Sequence, residues 1–79
     1  MTKRERVALM RAQTLIEQAM GLIEPIVAAE QRHAEAMPED SETRAAAQEA
    51  SNTLDECIIE LTAVRKSLIL ARNSDVAVI

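Results

Sequence analysis

The sequence predicts an all-α fold, a two-helix antiparallel hairpin that associates into a four-helix bundle. Apolar residues recur at alternating three- and four-residue spacing along two long stretches, the signature of amphipathic helices. A single proline-centred break separates the stretches. The apolar residues, nearly half of the 79, are almost all Ala, Leu, Ile, Val and Met, with no Phe, Tyr or Trp and one Gly, a stock that favours helices over strands. With no internal repeat and one interior break, residues 1–79 read as a single small unit near the lower size limit for an independent core.

The first helix is expected over about residues 2–36. Thr2 followed by Glu5 has the spacing of a capping box, in which each side chain serves the other's backbone N–H. From there Leu9, Ala12, Ile16, Ala19, Ile23, Ile26, Glu30, His33 and Met37 draw one stripe down the helix. Pro25 removes the helical bond to the carbonyl of Gly21, so a kink is expected between them. Pro38 biases Met37 away from helix, and Glu39, Asp40 and Ser41 supply the caps and acids that open a second helix. The turn is placed at 37–41, helix 2 at about 42–72 and a tail at 73–79. Ala47, Ala50, Leu54, Cys57, Leu61, Val64, Leu68 and Ala71 form the second stripe, and Asn73 suits a left-handed C-cap.

Both stripes are wider than one antiparallel partner covers. Ala8, Leu15, Leu22 and Ala29 flank the first on one side and Met20 and Val27 on the other, while Ile58, Ile59, Ile69 and Leu70 fall beside the second. Surplus apolar surface of this kind marks an interface. An oligomer interface is therefore expected at Leu15, Ile16, Leu22, Ile23, Ile58, Leu61, Leu68 and Ile69. At the turn end, Ala28, Ala29, Ala34 and Ala36 are expected to face Ala45, Ala46, Ala47 and Ala50, an approach too close and too small in area to drive assembly.

Charge is unevenly spread. Residues 1–14 and 62–79, which meet at the open end, carry Lys3, Arg4, Arg6, Arg11, Arg65, Lys66 and Arg72 against two acids, a net +5. Residues 15–61 carry eleven carboxylates against Arg32 and Arg44, a net −9. The seven basic residues are the candidate contact for an anionic partner, and the dipole favours two hairpins running antiparallel, each basic end against the other's acidic half. A whole-chain net charge of −4 argues against polyanion binding by the surface at large.

Glu30 and His33 have the Glu-x-x-His spacing that bundle metal sites use, but the facing stripe offers Ala47 and Ala50 rather than carboxylates. They are read instead as a polar layer paired with Arg44 or Gln48, with no metal and no cofactor. The sequence holds no phosphate loop, nucleophile elbow or paired Cys and His ligands, so no enzymatic activity is expected. Cys57 is the only cysteine and reads as a small buried hydrophobe in a reducing setting. No stretch reaches the roughly 18 uncharged apolar residues of a membrane span, and no signal peptide is recognised. The expected setting is cytoplasmic.

The opening Met-Thr-Lys-Arg-Glu-Arg-Val-Ala-Leu resembles that of the plasmid Rop family, with a fainter similarity at Lys66 to Arg72. The resemblance implies a small helical hairpin dimerising into an antiparallel four-helix bundle that binds paired RNA loops. Its RNA face would fall here on Lys3, Met10, Thr14 and Gln18, of which Lys3 and Gln18 keep the family's residue type. The first functional expectation is a self-associating adaptor, inhibitor or regulator that binds a partner protein through its helix faces or charged ends. The alternative is an RNA-binding bundle using the basic open end.

Overall fold

The computed structural model describes residues 1–74 and contains two helices, α1 (Lys3–Ala36) and α2 (Glu42–Ser74), packed against each other as a hairpin. Thr2 caps α1: its hydroxyl accepts from the Glu5 N–H at 3.1 Å, and the Glu5 carboxylate accepts from the Thr2 N–H at 2.9 Å. Two of the N-terminal donors, which have no partner within the helix, are thereby satisfied. The helix continues through Pro25.

The reversal is short because each helix end is closed by its neighbour. Met37 is extended, as a residue before proline prefers, and its N–H donates to the Ala34 carbonyl at 3.2 Å. The Ser41 hydroxyl accepts from the Arg44 N–H at 3.0 Å, capping α2, and the Arg44 guanidinium donates back to the Met37 carbonyl at 3.0 Å. At its other end α2 passes Asn73, which is helical rather than a left-handed cap. The Ser74 hydroxyl donates to the Leu70 carbonyl at 2.6 Å and so occupies an acceptor of the last turn. Of the expected tail, residues 75–79 lie outside the described residues.

The seam between the helices departs from the predicted stripe. On α1 it follows Leu9, Gln13, Ile16, Met20, Ile23, Val27, Glu30 and Ala34; on α2 it follows Arg44, Ala47, Ser51, Leu54, Ile58, Leu61, Arg65, Leu68 and Arg72. Ile26 is 49% exposed while Val27 is buried, and His33 is exposed beside a buried Ala34. On α2, Ala50, Val64 and Ala71 are exposed while Ser51, Arg65 and Arg72 turn inward, and Ile58 joins the seam rather than lying beside it. The apolar band on each helix is broader than the seam. The hairpin uses one edge of it, where long polar side chains can also bridge. Of the small residues expected to meet near the turn, Ala34 and Ala47 are buried, whereas Ala29, Ala36, Ala45, Ala46 and Ala50 remain exposed.

The resulting rod spans 61 × 16 × 12 Å, with a radius of gyration of 17.9 Å against about 12 Å for a compact domain of this length. Among the described residues the buried apolar side chains are Val27, Ala34 and Ala47.

Candidate interaction surface

Because residues three and four apart share a helix face, the seam divides the hairpin into two flanks. One carries Ala8, Ala12, Leu15, Ala19, Leu22, Ile26 and Ala29 of α1. From α2 it takes Ala46, Ala50, Cys57, Val64 and Ala71, interleaved with Thr53, Glu60 and Ser67. A groove near the turn, lined from both helices by Glu30, His33, Met37, Thr43, Ala46 and Ala47, shows that the two stripes open to the same side. Leu15 is 55% exposed, Leu22 73% and Val64 47%. Beside them lies an open depression of about 470 Å³ formed by Ala46, Glu49, Ala50, Thr53 and Leu54. The surface thus has both large side chains and hollows left by small ones.

The opposite flank is mixed, with more polar residues. Thr14, Glu17, Gly21, Glu24 and Gln31 of α1 run beside Gln48, Asn52, Asp55, Thr62 and Lys66 of α2, with exposed Val7, Met10 and Ile59 interspersed. Glu17, Gly21, Glu24 and Arg65 line a small groove there.

The predicted interface residues separate accordingly. Ile16, Ile23, Ile58, Leu61 and Leu68 are half-buried and close the hairpin onto itself, Ile69 is half-buried beside them, and Leu15 and Leu22 stand outside. Ile26 and Val64, which sequence reasoning assigned to the hairpin seam, join those two on the apolar flank.

The basic end divides as well. Arg65 approaches Glu17 to 3.4 Å, and Arg72 donates to Gln13 at 3.2 Å, so these two bridge the helices. Arg6 is half-buried, while Lys3, Arg4, Arg11 and Lys66 are exposed. The polar layer expected around Glu30 takes another form. Glu30 is half-buried and His33 is exposed; Arg44 is bonded to Met37, and Gln48 donates to Asn52 at 3.2 Å. Arg44 follows the seam to the turn because an orphan carbonyl at the end of α1 lies within its reach. Among the described residues no group of three or more His, Cys, Asp or Glu is placed to hold a metal ion. Cys57 is half-buried, and no described helix is long and apolar enough to cross a membrane. In comparisons with known proteins, the chain has no significant match to a family model, a curated protein or a solved structure.

Proposed function

We propose that the chain is a non-enzymatic, cytoplasmic interaction protein, an adaptor, inhibitor or small regulator, whose working form is a homo-oligomer. The simplest form is an antiparallel dimer of hairpins making a four-helix bundle, since two-fold closure is the commonest assembly. The observation that carries this reading is the imbalance of burial. Leu15, Leu22, Ile26 and Val64 on one flank, and Val7, Met10, Ile59 and Leu70 elsewhere, are about half exposed or more, while among the described residues the buried apolar side chains are Val27, Ala34 and Ala47. Exposed apolar surface of this extent marks an interface.

Sedimentation equilibrium at micromolar concentration tests the reading. A dimer or larger species is expected, and a stable, folded monomer would refute it. The exposed cations Lys3, Arg4, Arg11 and Lys66 favour a second reading, an RNA-binding bundle. Salt-dependent retention of paired RNA loops would select that reading, and its absence would leave a protein partner.

A further inference from the structure

We infer that a second copy of this chain covers the flank of Leu15, Leu22 and Ile26 on α1 and Ala50, Cys57 and Val64 on α2, leaving the flank of Glu17, Glu24 and Ile59 in solvent. The inference rests on the self-association proposed above and adds which surface associates and what occupies it.

Three observations choose the face and its occupant. First, α1 contributes Leu15, Leu22 and Ile26 and α2 contributes Ala50, Cys57 and Val64, interrupted by Thr53 and Glu60, to the same side, so the face can pack on a copy of itself, as a two-fold interface requires. Second, the area fits. The chain exposes 5926 Å², whereas a compact monomer of this length exposes about 4,700 Å². The excess, about 1,200 Å² spread over the whole rod, leaves room for the roughly 800 Å² that each partner buries in a standard stable interface. Third, the charge distribution complements an inverted copy of itself. With a net +5 at the open end and −9 across residues 15–61, turning the second hairpin end for end brings Arg4 and Arg11 toward the partner's acidic turn, with its Glu39, Asp40 and Glu42. A copy with its turn at the same end would set Arg32 near Glu49 on each side, but would also stack two basic ends and two acidic ones. The many like-charge pairs outweigh the few gained.

The test compares two exposed apolar residues on opposite flanks, Leu22 at 73% and Ile59 at 63% exposure. In an isolated hairpin a glutamate is tolerated at both. In the proposed dimer Leu22→Glu buries an unpaired charge and should raise the dissociation constant about 100-fold or more. Val64→Glu should do the same from α2, and Ile59→Glu should leave the dimer intact. Dissociation by Ile59→Glu, or persistence of the dimer in both Leu22→Glu and Val64→Glu, would overturn the choice of face while leaving self-association standing. A monomeric parent chain would overturn both.

Thiol labelling reads the same face without disturbing it. Alkylation of Cys57 should slow as concentration rises through the dimerisation midpoint, while that of Ile59→Cys in a Cys57→Ser background should not. A concentration-independent Cys57 rate in a chain that dimerises would overturn the proposal.

Discussion

Near the turn, α1 and α2 meet through Ala34, Ala47 and Ser51, side chains so small that the helices close on one another and bury them almost completely. Toward the open end the same seam holds Ile16, Leu61 and Leu68 together with Arg65 and Arg72, and its residues stay partly exposed. The difference shows two ways of pairing helices. Small residues complete a two-helix contact by close approach, whereas large ones hold the helices apart and leave a seam that two helices alone cannot cover. The turn half is closed by two helices alone, and the open half leaves its seam partly exposed.

The largest effect that would sharpen this contrast is at Leu61. Leu61→Ala should cost about 2 to 5 kcal/mol if a second hairpin completes its surroundings, measured as loss of stability in denaturant together with loss of assembly. Gln31→Ala, on the more polar flank, serves as the silent control, and equal melting of the two variants would break the heptad assignment. The turn half should instead resist enlargement. Ala34→Leu, at a site 1% exposed, should cost about 1 to 3 kcal/mol by overpacking, and an unchanged thermal midpoint would show that the close approach is absent.

Ser51 tests the turn half from the other direction. Its side chain is fully buried and its hydroxyl has no hydrogen-bond partner. Ser51→Ala should therefore raise stability by about 1 kcal/mol, removing an unsatisfied group and adding helix propensity. A destabilised variant would reveal a bond from that hydroxyl. The smallest effect belongs to the open half. Glu17 and Arg65 are 44% and 39% exposed, so Glu17→Gln should cost no more than about 1 kcal/mol, with the loss shrinking in high salt.

Most of the architecture was legible in the sequence. The Thr2 and Glu5 box, the break at Pro38 and the two apolar periods give both helices and the turn between them. The phase of the seam was harder to read. Periodicity locates the centre of an apolar band, but where the band exceeds one contact it does not say which edge the first partner takes. Hence Ile26, His33, Ala50 and Val64 read as interior, although Val27, Ala34, Ser51 and Arg65 take those places. Composition marks Arg65 and Arg72 as surface cations, whereas their guanidinium groups bridge to Glu17 and Gln13 across the seam. The layer joining Glu30 and His33 to Arg44 or Gln48 takes another form for local reasons: Arg44 donates to the Met37 carbonyl, Gln48 donates to Asn52, and His33 is exposed.

The side-chain bonds across the hairpin also order its assembly in time. The bond from Arg44 to Met37 joins residues seven apart in sequence, while that from Arg72 to Gln13 joins residues 59 apart. Formed independently, the second closure costs about 2 kcal/mol more chain entropy than the first. The hairpin therefore closes like a zipper started at the turn, each layer shortening the loop left for the next. Opening reverses the order. Amide protons near Ala34 and Ala47 should exchange only when most of the rod has come apart, whereas those beside Gln13 and Arg72 should exchange through fraying that leaves the turn intact.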